Sequence, residues 1–213
     1  MPVDKTIARK KLILAGERLI ATQGLNGLSL RKVNIEAGQK NTSAALYHFG
    51  DKNGLLLAIF DYRLGLANER RLELLANDSS TVRAIIEALI IPDIEVITET
   101  EGGSHHARFL AVMTNYTEFD FGDLYNRPAA SSYGKLINAL RKLLPKLPDE
   151  VFSMRFGLAM QQSIHAIAEH ERHHFTATPL FVSQLIDSME AMMTAPVSQQ
   201  TQRELSLHGK QQA

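Results

Sequence analysis

Between Ser29 and Lys52 the chain gathers side chains that can grip a polyanion and read its edges. The run Lys40-Asn41-Thr42-Ser43 places four polar or small residues together with no bulky apolar side chain among them. An asparagine can pair with adenine through its carbonyl and amide at once, and a threonine or serine hydroxyl can meet a base or a phosphate. Ser29, Arg31 and Lys32 precede this run, and Tyr47, His48 and Lys52 follow it. All six are donors suited to phosphate oxygens. The formal net charge of the 213 residues is zero, yet residues 1–58 carry nine Lys/Arg against four Asp/Glu, +5, and the remainder fourteen against nineteen, −5. A basic head on a mildly acidic body suits a phosphate-bearing partner for the head alone.

Other chemistries find less support. His165, His170, His173 and His174 fall together with Glu169 and Glu171, and spacings of three and four bring His170 near His173 and His174 on a helix face. The order His165-Ala166-Ile167-Ala168-Glu169-His170 misses the spacing of zinc-hydrolase helices. The group therefore reads as a solvated helix end, where cationic side chains are favourable, and neither a metal nor another cofactor is expected. The chain has no cysteine, which removes disulfides, thiolate nucleophiles and cysteine-ligated zinc and suits a reducing, cytoplasmic setting. It has no Gly-x-Ser-x-Gly and no phosphate-binding glycine loop, so an enzyme is not expected. The charged N-terminus lacks the apolar stretch of a signal peptide, and no apolar run approaches membrane-spanning length.

The elements that must position these residues are helices. Apolar residues recur at helical spacing nearly everywhere and no stretch sustains period-two alternation, so the chain reads as all-α, with about nine or ten helices. A first helix over about 6–23 turns Ile13, Ala15, Leu19 and Ile20 inward and stops at Gly24. Ser29 caps a short helix over 30–37 that Gly38 ends. Asn41 or Thr42 caps a third to about His48, with Val33, Leu46 and Phe49 read as core. A long fourth helix runs from about Asp51 to Ala76. After Asn77-Asp78-Ser79-Ser80 comes a helix that Pro92 should kink or divide and Gly102-Gly103 should close. Ser104 caps a segment from His105 to about Glu118, a loop carries Phe119 to Gly122, and a helix covers 131–144. Pro145 and Pro148 mark a turn before a helix over 149–173, and Thr178-Pro179 opens the last, to about Thr194. The Gln-rich residues 196–213 read as a disordered tail.

Two short helices joined by a glycine-containing turn, after a longer first one, make a helix-turn-helix; the third helix can enter the major groove while the second crosses the backbone. At this point the residues resemble a known family. Ile13-Leu14-Ala15-Gly16, Leu19-Ile20, Gly24, Ser29-Leu30-Arg31-Lys32-Val33, Ala37-Gly38, Leu46-Tyr47-His48-Phe49-Gly50-Asp51-Lys52 and Leu55-Leu56 are similar in order and spacing to the DNA-binding signature of the TetR family, over roughly 50 residues. Two departures stand out. Asn34 occupies a place where the family usually packs a small alanine, so it either bonds locally or splays the helix pair. The turn is one residue longer than the commonest pattern, as in a subset of the family with an Ala-Gly-Gln-Lys-Asn-type turn, which moves any base assignment by about one position.

The resemblance implies a helix-turn-helix domain over 1–51 and a ligand-binding and dimerisation domain over 52–195. It implies a homodimer through the last two long helices, about 149–173 and 179–194, bound to double-stranded operator DNA. It also implies an effector pocket in the middle helices, for which Phe109, Met113, Tyr116, Phe156, Met160, Gln161 and His165 are the candidates. Few charges interrupt those helices, so a largely apolar molecule is preferred, by analogy a fatty acid or acyl thioester. The implied function is a repressor released from a pseudo-palindromic operator by that molecule. The alternatives are an all-α protein-interaction module without sequence-specific DNA binding and, less favoured, an enzyme.

Overall fold

Ser29, Asp51 and Thr178 start helices as their types suggest, whereas the third helix takes Ser43 as its N-cap instead of Asn41 or Thr42, and the helix beginning at His106 takes His105 instead of Ser104. The structure, a computed structural model, describes residues 2–98, 104–116, 127–173 and 177–211. Its α-helices are α1 (Pro2–Gln23), α2 (Leu30–Glu36), α3 (Ala44–Phe49), α4 (Lys52–Asn77), α5 (Val82–Thr98), α6 (His106–Met113), α7 (Ser131–Leu143), α8 (Asp149–Arg172), α9 (Pro179–Thr194) and α10 (Gln199–Gln211), with 3₁₀ turns at Leu25–Gly27 and Pro128–Ala130. No strand occurs among the described residues. Side-chain oxygens of Ser29, Asp51 and Thr178 accept the backbone N–H groups of Lys32, Gly54 and Phe181 and so cap α2, α4 and α9, each relieving a donor that the helix leaves unpaired.

Three expectations change. Helix α5 continues through Pro92, so the proline does not divide it. Helix α6 stops at Met113, well short of Glu118, because Thr114 Oγ1 and Asn115 Nδ2 both donate to the Ala111 carbonyl and compete with the helical ladder. The expected disordered tail is instead helical from Gln199 to Gln211. Ser198 Oγ accepts the Thr201 N–H at 3.1 Å, and Val197 and Leu205 pack against the core. A capping serine and two apolar anchors order a segment whose polar composition reads as disordered. The expected loop Phe119 to Gly122 and the Gly102-Gly103 stop lie outside the described residues.

Leu12, Ile13, Leu19 and Ile20 of α1 pack with Val33, Ala45, Leu55, Leu56 and Ile59 beneath the head, and none is more than 5% exposed. Helix α4 belongs to both halves. Its first turns close the head's core, and its later turns pack on α5 and α7. A Cβ on Gly54 would lie 2.0 Å from the Phe49 carbonyl oxygen, so glycine there lets the end of α3 rest on the first turn of α4. Helix α6 lies between α1 of the head and α8 of the body, and α9 packs on α5 and α8. No described helix is long and apolar enough to cross a membrane.

Candidate nucleic-acid interface

The turn between α2 and α3 is built from the backbone outward. Gly38 adopts φ +64°, where an L side chain is strained. Gly38 N–H bonds to the Ile35 carbonyl and Gln39 N–H to the Asn34 carbonyl, the paired closure of a Schellman motif. Asn34, the residue out of place in the sequence pattern, is 2% exposed. Its Nδ2 donates to the Thr42 carbonyl and its Oδ1 accepts the Ala45 N–H at 2.9 Å. Of the two readings open at Asn34, local hydrogen bonding is the one realised. One side chain on α2 pins both the turn, at Thr42, and the first turn of α3.

Arg31, Lys32, Lys40, Asn41, Thr42, Ser43, Tyr47 and Lys52 are exposed, while Ser29 and His48 are half-buried. Several have tasks within the turn. Ser29 caps α2, Lys32 Nζ donates to the Gly27 carbonyl at 2.9 Å, and Asn41 Oδ1 accepts the Ser43 N–H at 2.9 Å. Asn41 thus folds the turn, and the N-cap of α3 is Ser43, which makes no side-chain cap. Val33 is core and Phe49 is half-buried against it, but Leu46, also read as core, is 55% exposed. In a helix of six residues too few positions exist for a period to reveal which face is inward.

Sequence reasoning missed a contribution from α1. Lys5, Arg9 and Lys10 line a cleft of about 370 Å³ with Thr6, Ile13, Tyr47, His48 and Tyr62. Lys5 Nζ stands 5.9 Å from the Tyr47 ring centre, and the Arg9 guanidinium 5.5 Å from that of Phe49. Burial, and then the charges of Arg9 and Lys5, hold the His48 imidazole below its ordinary pKa. The spacing of residues 5 and 9, one helical turn apart, is the signal that would have found this basic edge.

Behind the head lies a buried ionic junction. The Arg63 guanidinium on α4 donates to both carboxylate oxygens of Glu17 on α1, at 2.7 and 2.6 Å, and His106 Nδ1 on α6 lies 3.5 Å from Glu17 Oε2. All three are at most 4% exposed. Burial raises the Glu17 pKa, but hydrogen bonds and charges from His106 and Arg63 outweigh it and hold the carboxyl at about 2. At the N-terminus of α6 the Glu171 carboxylate of α8 accepts the N–H groups of Ala107 and Arg108, capping from another helix the donors that α6 leaves open. One face of α6 is therefore tied to the head and its first turn to the body.

The seven candidate pocket residues occupy different environments. Phe109 and Met113 are fully buried, Phe109 with its ring 5.0 Å from Phe60. Tyr116, Phe156 and Met160 are half-buried, Phe156 stacked on Phe152 at 6.2 Å. Gln161 and His165 are exposed on α8, and His165 Nε2 lies 3.5 Å from Thr114 Oγ1. Of the other histidines, His170 stacks on Phe181 at 3.6 Å and His173 Nε2 lies 2.8 Å from Glu169 Oε1; His174 lies outside the described residues. Met154 and Leu158, one turn apart on α8, are 67% and 57% exposed, and Leu180 near the start of α9 is 71% exposed.

A helix-turn-helix with an open polar face, mounted on an all-α body, is the architecture of a DNA-binding transcriptional regulator. Residues 87–196 match the family described as tetracyclin repressor-like, C-terminal domain. The match covers more than half of the chain, and the chain belongs to the TetR family of DNA-binding transcriptional regulators. A crystal structure from Rhodococcus sp. assigned to the TetR-family transcriptional regulators is 18% identical, with a TM-score of 0.55 over 88% of this chain and 99% of that one. A protein of unknown function from Rhodococcus sp. RHA1 is also 18% identical, with a TM-score of 0.47 over 87% of this chain and 93% of that one. No curated protein matches the chain.

Proposed function

We propose that the protein is a homodimeric repressor whose two heads occupy successive major grooves of a pseudo-palindromic operator, about 34–36 Å apart, and that a small, largely apolar molecule bound in the body releases it. The observation that carries this reading is the head itself: Thr42 and Ser43 at the entry to α3 and Tyr47 on it are exposed to solvent, while Arg31, Lys52 and the basic edge of α1 flank it. Arg31 and Lys52 act on phosphates, and the start of α3 acts on bases. Dimerisation uses the outer faces of α8 and α9, where Met154, Leu158 and Leu180 are exposed. Release works through α6. A ligand that shifts α6 against α8 also moves the Glu17–Arg63–His106 junction, changing the angle of the head on α4 and hence the head separation. A coupling of about 1–3 kcal/mol alters operator affinity about 5–150-fold.

The test is retention of genomic DNA fragments by the full-length protein, followed by titration of the enriched fragment at several salt concentrations. Affinity should fall steeply with salt, and the Arg31→Ala/Lys52→Ala double variant should bind more weakly with a log–log slope shallower by about 0.9 for each phosphate contact removed. Enrichment of no sequence, or an affinity indifferent to salt and to both substitutions, would point to a protein-docking module instead.

A further inference from the structure

Leucine 46 points straight out of the reading helix. Ala44, about 200° round an α-helix from it, is buried in the core, so Leu46 at 55% exposure faces directly away from the protein. Before α3 stand Ser43, its N-cap, and Thr42 in the turn, both exposed. Tyr47 stands about 100° further round, where its ring approaches Lys5 on α1; that side of α3 fronts the basic edge and therefore the sugar–phosphate backbone. The Asn34 hydrogen bonds to the Thr42 carbonyl and the Ala45 N–H hold the start of α3 in place. A single exposed leucine is ordinary on a protein surface, and it is the position of this one that matters. In the major groove only thymine offers an apolar group, its C5-methyl, and an aliphatic side chain is its complement.

We infer that Leu46 reads a thymine C5-methyl in each operator half-site, adding an apolar contact to the polar readout of Thr42 and Ser43. The inference rests on the proposed operator binding. It is tested on duplexes selected by the full-length protein from a random library, with each thymine of the half-site replaced in turn by deoxyuridine, which removes only the methyl. One position should weaken binding about fourfold per half-site, the worth of one buried methyl. Leu46→Ala should lose that discrimination, binding thymine and uracil forms alike, while keeping the wild-type salt slope; Leu46→Gln should favour a different base there. A half-site without a sensitive thymine, or a Leu46→Ala variant that still distinguishes thymine from uracil, overturns the inference while leaving operator binding intact. Failure of the library to yield any preferred sequence overturns both.

Discussion

At Glu17 a carboxylate is kept ionised inside the protein by partners on two other helices. Its pKa of about 2, against an ordinary 4.5, means that the junction stabilises the fold fully above pH 4.5 and that this stabilisation is lost as pH falls through the folded value. Replacing Glu17 with glutamine at neutral pH leaves Arg63 buried beside a neutral group, a loss of about 3–5 kcal/mol for a broken buried pair. Urea unfolding at pH 7, 5 and 3 should show the gap between wild type and Glu17→Gln narrowing at the lowest pH. A gap that stays constant would mean that the pair does not carry the charge described. None of this was legible in the sequence, because the partners lie 46 residues apart for Arg63 and further for His106, and charge pattern carries no information on which distant residues meet. Leu46 failed for the opposite reason: the local pattern was visible but too short to orient.

At the scale of the element, capping chemistry was the legible part. Ser29, Asp51 and Thr178 cap as their types dictate, and Gly24, Gly38 and Gly50 take the positive φ that ends a helix, since these are preferences of a few adjacent residues. The polar tail hid α10 because composition outweighed a single capping serine. The α2–α3 turn shows how a local departure acquires a role. Asn34 supplies a donor and an acceptor to this turn, where an alanine would leave the buried Ala45 N–H unpaired. Asn34→Ala should therefore cost about 1–3 kcal/mol, the penalty of an unsatisfied buried donor, and loosen the start of α3. Denaturant midpoints measure the first effect, and amide exchange at Ala45 the second. A change below about 0.5 kcal/mol, as at ordinary surface sites, would show that the clamp is dispensable.

For the whole molecule the question is how a head of this size gains enough affinity for one site among many. In the proposed dimer each short α3 makes few base contacts, so binding two half-sites at once would supply what each head lacks, an avidity gain of about 10²–10⁴ when both engage. The pair Met154 and Leu158, one turn apart on α8 and both more than half exposed in the single chain, is the surface whose burial would join the two copies. A Met154→Lys/Leu158→Lys variant places charge at the centre of that face and, being changed only at exposed positions, should fold as the wild type does. It should sediment as a monomer and bind a two-half-site duplex about 10²–10⁴-fold more weakly, while matching the wild type on an isolated half-site, because the head is untouched. Wild-type protein that sediments as a monomer, or a monomeric variant with undiminished affinity for the full site, would place the dimer contact elsewhere or remove the need for one. The equal affinity on the half-site is the informative control, since it separates loss of partnership from loss of reading.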